Sequence, residues 1–131
     1  MHKMPSLAVD AVIVAKEEII LIKRDREPFR GDYALPGGFV RYGETVEAAV
    51  QREVKEETGL SVKVKSLVGV YSDPHRDPRG HVVSIAFLAE IVGGALSGGS
   101  DAREACRWPL ATLPLLAFDH AQIVSDALRL I

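Results

Sequence analysis

The sequence predicts an α+β domain in which a mixed β-sheet lies between helices. Three observations carry this. Several β-branched, apolar segments are spread along the chain, each bounded by polar or glycine-rich turns. One helical pattern sits among them, between Thr45 and Gly59. A second closes the chain after Asp119. Strands grouped around a central helix, with another helix at the end, place a sheet between helical layers.

Residues 7–15 (LAVDAVIVA) are rich in Val and Ala and read as a mostly buried strand. Residues 16–18 are a short polar turn, and residues 19–23 (IILIK) are the hairpin partner of the first strand. Residues 24–34 form a polar loop broken by Pro28 and Gly31. Residues 35–40 (LPGGFV) read as a short strand interrupted by glycines. The central helix starts at Thr45, a good N-cap, and stops at Gly59, a residue suited to the left-handed position that ends helices. Residues 62–71 alternate loosely as a strand, and residues 72–81 (SDPHRDPRGH) are a turn-rich connection. Residues 82–92 form a long strand, and residues 93–100 (GGALSGGS) a flexible loop. Residues 105–109 make a short strand ending at Trp108. Asp119 reads as the N-cap of the last helix, where Ile123, Ala127 and Leu130 recur at helical spacing. With no internal repeat or linker, residues 1–131 read as one domain.

Composition narrows the function classes. Nearly half the 131 residues are apolar and the net charge is −2, so no broad basic surface for nucleic acid is expected. No apolar run approaches the ~20 residues that span a bilayer, so no membrane partner is expected either. The first six residues lead into an alternating segment rather than a signal-peptide core. Cys106 is the only cysteine, which points to a cytoplasmic location and a structural role for that thiol.

The densest chemistry lies in residues 38–60, GFVRYGETVEAAVQREVKEETGL. Arg52, Glu53, Glu56 and Glu57 fall within about two helical turns. Val46, Ala49, Val50 and Val54 form the apolar stripe of this helix. At about 100° per residue, Glu53 and Glu57 lie inside the arc of that stripe and Glu56 at its edge. Lys55 and Gln51 take the solvated side. Buried carboxylates are costly unless paired or bound to a cation, and a hard divalent ion takes oxygen ligands. Arg52 stands one turn before Glu56, the spacing of an ion pair that braces a carboxylate.

Gly38, Glu44, Arg52, Glu53, Val54, Glu56, Glu57, Gly59 and Leu60 occupy every fixed position of the Nudix box, and the chain resembles that family. The resemblance implies an α/β/α sandwich. It implies cleavage of a nucleoside diphosphate linked to another group, with Mg²⁺, or Mn²⁺ in its place. Glu53, Glu56 and Glu57 are the expected metal ligands, with the Gly38 carbonyl as a further oxygen. Glu44 is expected to shape the loop-to-helix junction or to contact metal through water. For the catalytic base, Glu53 or Glu57 is the first choice, braced by Arg52. Asp101 and Glu104, after the glycine-rich loop, are the alternatives, and Glu90 is a weaker one.

The flanking segments narrow the substrate. Residues 28–40 (PFRGDYALPGGFV) and 69–84 (GVYSDPHRDPRGHVVS) resemble those of ADP-ribose pyrophosphatases. Pro74, beyond the box, matches the marker of that group. Tyr33 stands where the group often has Trp. Arg76 and Arg79 suit phosphate or ribose oxygens. The resemblance therefore implies hydrolysis of ADP-ribose to AMP and ribose 5-phosphate, by a homodimer. Triphosphate hydrolysis is the alternative, and a nucleotide-sensing domain without catalysis is a third reading. His75 and His81 lack metal-site spacing, and His120 reads as a packing residue.

Overall fold

Apolar residues on both sides of the first strand make it two-faced, and the fold is built on these two faces. The computed structural model describes residues 3–97 and 104–131. In chain order the strands are β1 (Ser6–Ala15), β2 (Glu18–Lys23), β3 (Tyr33–Ala34) and β4 (Gly37–Phe39). The helix α1 (Val46–Thr58) follows, then β5 (Leu60–Tyr71), β6 (Val82–Gly94), β7 (Glu104–Pro109) and the helix α2 (His120–Leu128). A single 3₁₀ turn, Leu110–Thr112, precedes α2.

The sheet runs in the order β3-β2-β1-β6-β5, with β4 also paired to β1 and β7 to β2. It is mixed: β1 runs parallel to β6, and the other pairings are antiparallel. Val9, Ala11 and Ile13 of β1 face α1, where they meet Ala49, Val50 and Val54. Val12 faces the other way and packs with Ile123, Val124 and Ala127 of α2. The result is the α/β/α sandwich that the Nudix resemblance implies.

The boundaries differ in informative ways. Lys16 and Glu17 both adopt positive φ, 53° and 64°, so β1 and β2 are joined by a two-residue hairpin turn made without glycine. The expected strand over residues 35–40 is instead two short strands with Leu35 and Pro36 between them. Pro36 has no N–H to give a ladder, and the Leu35 amide bonds to a side chain of α2. Thr45 caps α1 by accepting the Ala48 amide, and Gly59 closes it at φ +81°. Asp119 precedes α2 but makes no capping bond, because its carboxylate is bound by Arg76.

Candidate active site

α1 carries its acids along the face that meets the β4 turn. Glu57 is 1% exposed, and its Oε1 accepts the Gly37 amide at 2.8 Å. Glu53 is largely buried and receives Arg52 Nη1 at 2.8 Å. Glu56 is more open, 3.4 Å from the same Nη1 and 3.7 Å from Arg41 Nη2. The backbone at Gly38 runs directly over Glu53. A Cβ there would lie 2.5 Å from Glu53 Cδ, so glycine lets this carboxylate lie against the turn.

Arg52 is the hub of this cluster. Its Nε and Nη2 donate to the two oxygens of Glu44 at 2.7 and 2.9 Å, a bidentate pair. Nη2 also donates to the Phe39 carbonyl at 3.1 Å. The helical spacing suggested Glu56 as the partner; that contact is the longest of the set, and Glu44, eight residues upstream, is the main one. Arg52 and the Arg41 amide together hold the Glu44 carboxyl down to about 2. The same Glu44 contact, with Glu53 adding to it, keeps Arg52 more firmly protonated than usual. Glu44 thus ties the incoming loop to α1 and to the β4 carbonyl through one guanidinium.

Beside the acids opens a cleft of ≈ 220 Å³. Gly37, Gly38 and Glu53 line it together with Arg24, Arg76 and Arg79, and so do Asp10 and His120. Arg76 is almost fully buried; its Nε and Nη2 bind Asp119 at 2.8 and 2.6 Å. Burial alone would lower Arg76, but the Asp119 carboxylate outweighs it and keeps the cation. Arg79 binds Asp77, and its guanidinium lies 5.3 Å from the Phe39 ring and 5.5 Å from the Phe118 ring. Burial would raise the Asp77 carboxyl, yet the Arg79 hydrogen bonds hold it below its usual value. Arg24 lies 5.0 Å over Phe118 from its own side.

With this geometry in view, the family comparison is decisive: the model of the NUDIX domain matches residues 4–127. The chain belongs to the NUDIX family. Among curated relatives, it is 59% identical over 125 residues to an ADP-ribose pyrophosphatase of Methanocaldococcus jannaschii, covering 95% of this chain and 74% of that one. Several other curated relatives are longer, and the chain spans about half of them or less. Among solved structures, the NUDIX domain of Shewanella oneidensis NrtR in complex with ADP ribose superposes with a TM-score of 0.85. It is 30% identical, covering 99% of this chain and 91% of that one. An ADP-ribose pyrophosphatase of Streptococcus suis gives 0.81 at 28% identity, covering 97% and 92%. The chain is accordingly a Nudix hydrolase.

In this NUDIX domain the remaining candidates are scattered. Pro74 and His75 are exposed on the 72–81 loop, away from the cleft lining. His81 Nε2 meets the Ser72 carbonyl at 3.0 Å, which closes that loop. Tyr33 packs on Trp108 with ring centroids 4.9 Å apart, and it too is absent from the lining. Glu104 is exposed on β7, opposite Lys23. Glu90 is exposed on β6. Asp101 lies outside the described residues. Cys106 packs on the α2 side of the core, and burial pushes its thiol up, away from the reactive thiolate. Sequence reasoning passed over Asp10, Arg24 and Phe118. Only Asp10 left a signal, a lone acid inside an apolar strand.

Nudix hydrolases generally need a divalent metal. The donor chemistry here suits a hard cation, because Glu53, Glu56, Glu57 and the Gly38 carbonyl offer oxygen alone. Among the described residues, no three Asp, Glu, His or Cys side chains are already gathered as a metal cage. Glu53 is turned to Arg52 and Glu57 to the Gly37 amide. A larger cavity of ≈ 450 Å³ lies beside the β1–β2 turn and the C-terminus; it contains none of the box residues. No described helix is long and apolar enough to cross a membrane.

Proposed function

We propose that this chain hydrolyses ADP-ribose to AMP and ribose 5-phosphate. The single observation that carries the reaction is the shared cleft: the box carboxylate Glu53 and the glycine turn line the same opening as Arg24, Arg76 and Arg79. Acids for a cation and cations for a diphosphate, gathered in one cleft, are what phosphoanhydride cleavage requires. The kinship with an ADP-ribose pyrophosphatase at 59% identity supports the substrate. At ≈ 220 Å³ the cleft is smaller than the about 300–1,000 Å³ that enclose a whole ligand. It takes the diphosphate and one adjoining sugar, and the rest of ADP-ribose extends along the rim past Phe39 and Phe118.

Glu53, Glu56 and Glu57, with the Gly38 carbonyl, would hold Mg²⁺, or Mn²⁺ in its place. A bound divalent ion there neutralises the phosphate oxygens and acidifies water. Glu53 or Glu57 orients and deprotonates the attacking water. Arg52 keeps Glu53 in place and does not touch substrate. Arg79, half exposed and lodged between two aromatic rings, contacts the diphosphate or ribose by a rotation of its side chain. Arg76 supports the field of the cleft from its buried pair with Asp119. A cytoplasmic homodimer fits this reading: Leu67 and Val70 on the edge strand β5 are more than half exposed.

The test is turnover of ADP-ribose against a panel of nucleoside triphosphates with Mg²⁺, resolving the products. AMP and ribose 5-phosphate should form with kcat/KM at least tenfold above any triphosphate. Faster triphosphate cleavage overturns the substrate assignment. Tight ADP-ribose binding without turnover overturns the enzymatic reading in favour of a sensor.

A further inference from the structure

Asp10 and His120, which line the cleft, belong to a polar cluster that the proposed chemistry does not use. Asp10 on β1, Ser84 on β6 and His120 at the start of α2 are 7%, 0% and 4% exposed. Ser84 Oγ donates to Asp10 Oδ2. The Leu35 amide donates to His120 Nδ1 at 3.0 Å, across 85 residues of sequence. An acceptor Nδ1 leaves the ring proton on Nε2, which lies 3.5 Å from Asp10 Oδ1. Burial pushes His120 below its ordinary value, consistent with a neutral ring whose lone pair is in use.

What this cluster holds is the glycine turn. Three successive residues are each fixed by a different element. Leu35 is bound by His120 of α2, the Pro36 carbonyl accepts the Ala11 amide of β1 at 2.9 Å, and the Gly37 amide donates to Glu57 of α1. A Cβ on Gly37 would lie 2.6 Å from Asp10 Oδ1, so the cluster also abuts the turn directly. The next residue is Gly38, whose backbone lies against Glu53. The start of α2 is itself anchored, because Asp119 is bound by the buried Arg76.

We propose that His120 is a positioning residue for the hydrolysis: by accepting the Leu35 amide bond, with Asp10 3.5 Å from the opposite ring nitrogen, it sets Gly37 on Glu57 and Gly38 over Glu53. This rests on the reading of that site as a metal-dependent hydrolase. An ordinary core histidine would fill volume; this one supplies a lone pair at one atom, and that atom can be tested. Asn places an acceptor oxygen where Nδ1 stands, whereas Gln places it where Nε2 stands. The comparison is therefore H120N against H120Q, two polar variants of similar bulk.

The experiment has three readouts on the full chain: amide hydrogen exchange of Leu35, Gly37 and Gly38 without metal, Mn²⁺ affinity by calorimetry, and kcat and KM for ADP-ribose. H120N should keep the Leu35, Gly37 and Gly38 amides protected, with Mn²⁺ affinity and kcat within about threefold of the parent. H120Q should expose those amides and lose about 10–100-fold in Mn²⁺ affinity and kcat, the range of partners that orient metal ligands, with KM little changed. The proposal is overturned if folded H120N loses protection at Leu35. It is also overturned if H120Q keeps parental exchange and metal affinity, and a failure of H120Q to fold leaves the H120N arm decisive. If the parent protein does not cleave ADP-ribose, the functional reading fails alone, because exchange and Mn²⁺ affinity still judge His120.

Discussion

Glu44 shows how much one guanidinium can do at the residue scale. Its folded pKa of about 2 stands below the ordinary 4.5 because Arg52 and the Arg41 amide stabilise the carboxylate. The folded state therefore binds fewer protons than the unfolded chain between these values, and stability rises with pH across that window. Relative to E44Q, the parent should melt at a higher temperature above pH 4.5, and the gap should close as pH falls toward 2. A gap independent of pH would contradict the ion-pair account. Arg52 was legible in the sequence as a brace, but its main partner was not. Helical spacing compares residues three or four apart, whereas Glu44 reaches Arg52 from the loop before the helix.

At the scale of elements, α1 was readable end to end. Thr45 and Gly59 mark its limits, and its apolar spacing gives the buried face. The rest of the cleft lining was not readable, because it depends on contacts across long separations. Arg76 binds Asp119 43 residues away, and Leu35 binds His120 across 85. No local pattern encodes such pairs, and the 35–40 strand was misjudged for the same reason. Two glycines of the box separate function from fold. In G38A the new Cβ meets the movable end of Glu53, so the fold should survive while activity falls about 10–100-fold. In G59A it meets the Ala95 carbonyl at 2.4 Å, at a φ of +81°. Ala at such a position should cost at least about 1 kcal/mol of stability, read from denaturant unfolding. Equal effects of the two variants on stability would contradict this division.

For the whole molecule, the sandwich places unlike chemistry on its two sides and lets them meet at one end of the sheet. α1 brings the acids on one face of β1, and α2 with the 72–81 loop brings Arg76, Asp119 and His120 on the other. The glycine turn is where both sides touch, through Glu57 and His120 on neighbouring amides. The account therefore stands on the acids of α1 being the reacting centre and not a solvated charge cluster. The most direct measurement is ADP-ribose turnover by the E56Q/E57Q variant, with its fold verified by circular dichroism and melting. The account predicts a folded protein whose kcat falls by more than the about 10–100-fold typical of supporting residues. A folded variant that turns over ADP-ribose at the parental rate would contradict it.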